Sequence, residues 1–206
     1  MPHPGPDLVL LVRHGTTQWS AQGRHTGRTD IELTDVGREQ TLKLRPVLYR
    51  LIDSRHAEDP PQPPVVFTSP LARAKQTAAI AMPERDAEES HQLTEFDYGD
   101  YEGLTTAQIH ARDPGWNLFI EGAPNGESMA AVSARCDSFI AKMERMAAGR
   151  TVVAFTHGHF SRILTARMLG LPPQAGSAFY NETATVAVLD HRRGELVLTG
   201  WNISGD

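Results

Sequence analysis

Cysteine is almost missing from this chain: Cys136 is the only one among 206 residues. A lone thiol cannot close an intramolecular disulfide, so the fold must rest on its core, and this usage suits a reducing compartment. Cys136 falls on an apolar helical stripe, where it reads as a small buried hydrophobe and not as a reactive thiol. Long apolar runs are missing too. Nothing approaches the ~20 consecutive apolar residues that cross a bilayer. Residues 1–7 read as a short Pro/Gly-rich tail, expected to be disordered, and not as a charged-then-apolar leader. A soluble, cytoplasmic protein with no membrane partner is the expectation. Positive charge is in short supply as well. A formal net charge of −5 argues against a nucleic-acid partner, so any cationic pocket must be built locally from a few arginines. The nine histidines show no paired metal spacing such as His-Glu-x-x-His, and no Gly-rich nucleotide loop occurs. Neither metal nor cofactor is expected.

What is present is ordinary globular material, 40% apolar and 22% charged, enough for a sizeable core. With no linker-like stretch in the middle, residues 8–206 are expected to form one domain. Apolar runs alternate with helical patterns, which points to the α/β class: a three-layer α/β/α arrangement around a mostly parallel central sheet. Thr34 reads as the N-cap of a helix reaching toward Ser54, with Pro46 expected to kink or shorten it. Residues 56–64 carry four prolines and read as a surface loop. A helix is expected over 71–82, and Thr105 or Thr106 caps another that ends before Pro114. Residues 113–127, rich in Pro, Gly and Asn, read as a lid over a pocket or as a plain connecting loop. Over 128–148, Met129, Val132, Cys136, Phe139, Ile140 and Met143 keep the spacing of one buried helical face. The end of the chain, 183–190 and 195–201 about a polar turn, reads as a hairpin at the sheet edge.

Three junctions concentrate the chemistry. Leu8-Val-Leu-Leu-Val12 runs straight into Arg13-His14-Gly15. Val65-Val-Phe-Thr-Ser-Pro70 leads into a helix whose first turn holds Arg73. Thr151-Val-Val-Ala-Phe-Thr156 leads into His157-Gly158-His159. Short Val/Leu-rich runs of this kind read as strands buried on both faces, and ligands in open α/β sheets gather at the carboxyl ends of such strands. Two histidines and two arginines would then converge on one anionic pocket. Arginine forks match phosphate oxygens, a protonated His157 would add a third cation, and a neutral imidazole at His14 can attack phosphorus. For the proton a leaving alkoxide needs, Glu95, Asp97 and Asp100 compete on spacing alone.

Leu11-Val-Arg-His-Gly15, Ser69-Pro-Leu-Ala-Arg73, Glu95 and Thr156-His-Gly158 together resemble the histidine phosphatase superfamily, also called the phosphoglycerate mutase-like family. The likeness continues through Trp19-Ser20, Gly23-Arg-His-Thr-Gly27, Leu33-Thr-Asp-Val-Gly37 and Tyr98-Gly-Asp-Tyr-Glu-Gly103, in the family's order, from about residue 8 to about 202. It implies a phosphoglycerate mutase-like fold, a phosphohistidine on His14, Glu95 as general acid and then base, and catalytic roles for Arg13, Arg73 and His157. It also implies phosphate or substrate contacts from Arg13, Ser20, Thr26, Gly27, Arg73, Tyr98, His157 and Gly158, with Tyr101 and His159 at the rim. Thr16 stands where a glutamate is frequent, which leaves one pairing of the family open. The implied activity is metal-independent hydrolysis of small phosphorylated metabolites, with sugar phosphates or bisphosphates such as sedoheptulose 1,7-bisphosphate as candidates. The alternative is a cofactor-dependent phosphoglycerate mutase. Family mutases carry extra basic residues after the general acid, whereas residues 105–127 hold only Arg112 besides a histidine. A non-catalytic phosphometabolite sensor is the third reading, disfavoured because binding alone needs neither His14 nor Glu95. A homodimer is one option for the assembly.

Overall fold

A computed structural model describes residues 5–54 and 62–206. In chain order the elements are β1 (Leu8–Arg13), α1 (Gln18–Ala21), α2 (Asp35–Asp53), β2 (Val65–Thr68), α3 (Ala72–Ala81), β3 (Glu88–Glu89), α4 (Thr106–His110), α5 (Leu118–Glu121), α6 (Met129–Met146), β4 (Thr151–Thr156), α7 (Gly158–Met168), β5 (Val186–Arg192) and β6 (Glu195–Ile203). The strands form one sheet in the order β3-β2-β4-β1-β5-β6. Neighbours from β3 to β1 are parallel, and β5 pairs antiparallel with both β1 and β6.

The layers follow from the two-residue period of a strand. Leu8, Leu10 and Val12 of β1 pack with Leu44, Leu48 and Ile52 of α2 and Ala78 and Ala81 of α3. Val9 and Leu11 point the other way, toward Val132 and Phe139 of α6 and Ile163 and Leu164 of α7. A strand apolar at every position therefore feeds two cores, one on each face, and the three-layer α/β fold with its mostly parallel sheet follows.

Thr34 caps α2 by accepting from the Gly37 amide. The helix then runs on past Pro46 to Asp53, so the proline does not shorten it. Leu42 and Pro46 are both exposed, so the carbonyl that loses its N–H partner lies on the solvated face of the helix, where water can replace that partner. Ser128 caps α6 through the Ala131 amide. The expected stripe is buried except for Ile140, which is only partly covered, and the helix ends at Met146. Thr105 caps α4.

Residues 113–127 contain α5 and bury Trp116, Leu118 and Phe119 in the core; they are a packed connection, not a cover. At the N-terminus, Gly5 and Asp7 are tied by backbone hydrogen bonds to Gly149 and Arg150. The disorder expected for residues 1–7 is thus corrected for 5–7, while 1–4 lie outside the described residues. So do residues 55–61, most of the expected Pro-rich loop. The terminal hairpin turns on Arg193 and Gly194, both at positive φ (56° and 87°). Of the two hairpin strands only β6 is at an edge of the sheet: β5 lies beside β1, and that brings the segment before it to the site.

Candidate active site

Register places the reacting groups. Arg13 of β1 pairs with Thr156 of β4, so the next residues, His14 and His157, leave the sheet side by side. Their ring centroids are 5.2 Å apart. Ser69, following β2, donates its amide to the Phe155 carbonyl and brings a hydroxyl to the same edge. Three strand ends and the first turns of α3 and α7 thus meet at one point.

The protonation of each histidine can be read from its partners. His14 Nδ1 lies 2.7 Å from the Gly15 carbonyl, which only accepts, so the proton sits on Nδ1 and Nε2 keeps its lone pair. Burial first, then the Arg73 and Arg13 charges, hold the His14 pKa well below the usual histidine value. His157 Nδ1 is 3.1 Å from Arg73 Nε, which can only donate, so Nε2 carries the proton and gives it to Ser69 Oγ at 2.8 Å. His157 is therefore neutral here. The condition for a third cation, a protonated His157, is thus not met in this arrangement: burial and the neighbouring Arg73 charge both lower its pKa, and the guanidinium donor requires a lone pair at Nδ1.

Arg73 is fully buried. Besides His157 it donates from Nη1 to the Thr29 carbonyl and from Nη2 to the Thr26 and Gly27 carbonyls. Most of the fork expected to grip an anion is thus spent on tying the 26–29 loop to the strand ends. Arg13 is the more available cation. Nη1 donates to the Asn181 carbonyl at 2.5 Å, and its buried Nε–H has no partner among the described residues. A Cβ at Gly158 would stand 3.2 Å from the Arg13 Cζ, so glycine lets the guanidinium lie close against the start of α7. An orphaned buried donor is costly unless an acceptor arrives.

Glu95 sits under the same helix start. Its Oε1 accepts from the Phe160 and Phe96 amides (2.8 and 2.9 Å) and its Oε2 from the His159 amide (3.1 Å). Orphan first-turn amides thereby gain a carboxylate acceptor. The competing acids are engaged elsewhere: Asp97 pairs with Arg28 at 2.8 Å, and Asp100 accepts from Asn125.

These groups surround a cavity of about 480 Å³. Arg13, His14, Ser20, Thr26, Glu95, Tyr98, Gly158 and His159 line it; Arg73 and His157 lie just behind, and Gly27 and Tyr101 do not reach it. Gly27 instead gives its amide to Glu102, and Tyr101 packs on Trp116 at 5.0 Å. No residue of 113–127 lines the cavity, which decides against a lid in this conformation. The Tyr98 hydroxyl is 2.6 Å from His159 Nδ1. The His25 ring lies tilted against Tyr98 with centroids 4.8 Å apart, and burial pushes its pKa down to about 4. Thr16, in place of the frequent glutamate, donates its amide to Gln40 Oε1 and shares a hydroxyl contact with Thr183.

The cavity also draws on residues that sequence reading passed over: His25, Gln40, Arg162, and the 180–183 segment. Arg162 follows Gly158 by one helical turn and His159 by three residues, a spacing that marks the same helix face. The 180–183 segment carries no such signal, because its position depends on β5 inserting beside β1. Among the described residues no group of three or more His, Cys, Asp or Glu is arranged to hold a metal, and no helix is long and apolar enough to cross a membrane.

Residues 9–204 match the family model described as the histidine phosphatase superfamily (branch 1). An acid phosphatase of Mycobacterium tuberculosis is 39% identical, the alignment covering 96% of this chain and 93% of that protein. A sedoheptulose 1,7-bisphosphatase of Saccharomyces cerevisiae is 30% identical over 88% of this chain and 74% of its own length. The solved structure of an open reading frame from Mycobacterium tuberculosis superimposes with a TM-score of 0.88 at 39% identity, covering 97% of this chain and 98% of that one.

Proposed function

Because the chain belongs to the histidine phosphatase superfamily and, in line with the named phosphatases it is similar to, is a phosphoric monoester hydrolase, we propose that it hydrolyses small phosphorylated metabolites, sugar phosphates or bisphosphates among them, through a phosphohistidine on His14. The observation that carries this reading is the Nδ1–Gly15 bond, which leaves Nε2 of a neutral imidazole as the attacking atom. The Arg13 Nε–H and the first-turn amide of Gly158 take the phosphoryl oxygens, and the Ser20 and Thr26 hydroxyls and Tyr98 complete the contacts. His157, held through Nδ1 by Arg73, turns its Nε2–H from Ser69 to a phosphoryl oxygen. Gly27 acts through the loop it anchors. This is charge stabilisation by preorganised donors around an in-line displacement.

In the first step Nε2 bonds to phosphorus, the P–O bond to the leaving group breaks, and Glu95 gives that oxygen a proton. Oε1 already accepts two amides and Oε2 one, so Oε2 is the oxygen with room for it. In the second step Glu95 takes a proton from water, the new hydroxide attacks phosphorus, and the P–N bond breaks to release phosphate. Support for sugar phosphates comes from the similarity to a sedoheptulose bisphosphatase and from a cavity that exceeds one phosphate, with Arg24 and Arg162 at its wall.

The test is release of inorganic phosphate from a panel of sugar phosphates and bisphosphates in EDTA, with trapping of an acid-labile, base-stable phosphoenzyme. Turnover with labelling lost in His14→Ala is expected. Turnover without any phosphoenzyme overturns the intermediate. Conversion of 3- to 2-phosphoglycerate primed by bisphosphoglycerate, with negligible hydrolysis, makes the protein a mutase.

A further inference from the structure

We propose that Arg135 of α6, paired with Glu127, is a positioning residue that aims the Glu95 carboxyl by gripping the backbone that carries it; this rests on the reading of Glu95 as general acid. The Arg135 guanidinium makes five hydrogen bonds, three to carbonyls of the 92–95 stretch and two to the Glu127 carboxylate. Nη1 donates to the carbonyls of Gln92 (3.0 Å) and Thr94 (2.6 Å), and Nη2 to that of Glu95 (3.4 Å). Nε and Nη2 close a two-point pair with Glu127 at 2.9 and 2.6 Å. Glu127 continues the grip beyond Glu95: its amide donates to the Asp97 carbonyl at 2.8 Å, and its Oε2 accepts from the Asp97 amide at 3.4 Å. Residues 92, 94, 95 and 97 are thus pinned from one side. The other side of the Arg135 plane lies 4.3 Å from the ring of Phe160, whose own amide holds Glu95 Oε1. One arginine therefore touches both supports of the carboxyl, the peptide that bears it and the helix turn that receives it.

The pair is mostly buried, with side chains 18% and 13% exposed. Buried ion pairs are poor devices for net stability, since an apolar pair of similar volume packs as well. A planar fork with five fixed donors is instead suited to holding several carbonyls in one geometry, which lysine cannot do. In-line proton delivery is sensitive to that geometry, a displacement of about 1 Å costing on the order of 10²-fold.

Arg135→Lys and Glu127→Gln should therefore lower kcat/KM for an alkyl phosphate on the order of 10- to 100-fold. For p-nitrophenyl phosphate, whose phenolate leaves without being protonated, the loss should be at least about tenfold smaller. A merely structural pair would lower both substrates together. In a Glu95→Gln background Arg135→Lys should add no further loss on the alkyl ester, because the group it aims is gone. Thermal melts confirm folding, and Glu127→Gln decides the matter if Arg135→Lys does not fold. Equal losses on both substrates, or no loss on either, in folded variants overturn the proposal. If Glu95→Gln alone shows leaving-group dependence and the Arg135 and Glu127 variants do not, positioning fails and the function stands. If Glu95→Gln itself shows none, the acid assignment fails and takes this inference with it.

Discussion

At the scale of single residues, the decisive quantity is where the protons sit on two imidazoles. His14 is neutral because burial, Arg73 and Arg13 all oppose a positive ring. A depressed pKa means that protonation begins only at more acid pH. The kcat/KM profile should therefore show no fall attributable to His14 as pH drops through 6.5, and a pH–rate series in overlapping buffers at constant ionic strength checks this. A limb centred at the ordinary histidine value would contradict it. His14→Ala should reduce turnover on the order of 10³-fold or more, since the neighbouring imidazole of His157 has Nδ1 held by Arg73 and its proton on Nε2, which leaves it no nitrogen free to attack. Ordinary turnover in the purified variant would remove the nucleophile from the mechanism. The identity of these residues was legible in the sequence because each stands directly after a strand-like run. The neutrality of His157 was not, because it depends on which nitrogen Arg73 reaches.

Among the elements, those with a strong local signal appear where the sequence puts them. Thr34 caps α2, and the apolar stripe of α6 is buried apart from the partly covered Ile140. Removing the Ser128 hydroxyl with Ser128→Ala should cost about 1 kcal/mol, read as a lower urea midpoint at unchanged slope. The terminal hairpin offers a change of opposite sign. Its turn holds Arg193 at a φ of 56°, a region that asparagine or glycine enters more readily. Arg193→Asn should stabilise by about 0.5–1 kcal/mol, and an unchanged or lower melting temperature would count against this account of the turn. What the sequence hid are the features that long-range pairing decides. β3 is two residues long, and β5 is identifiable as a strand without any sign that it lies beside β1. Pro46 misleads for a different reason: local chemistry marks a stop, but on the exposed face of α2 water can replace the one backbone bond that the proline removes, and the helix continues.

For the whole molecule, the buried neutral histidines make stability depend on pH. His14, His25, His157 and His159 all have lowered pKa values in the folded state, His25 to about 4. Between about 4 and 6.5 the unfolded chain binds a proton at His25 that the folded chain refuses. Stability should therefore rise with pH across that window and be lost as the solution is acidified below 6.5. Melting temperatures measured from pH 4 to 7 check the sign, and His25→Phe should flatten part of the slope. The sheet order carries one more consequence. β4 and β1, which deliver His157 and His14, are the two innermost of six strands, shielded from fraying by two companions on either side. Amide protons on these strands should exchange only when the entire structure opens, so heat or denaturant ought to extinguish turnover and dissolve the fold in one event, with no folded yet inert species in between.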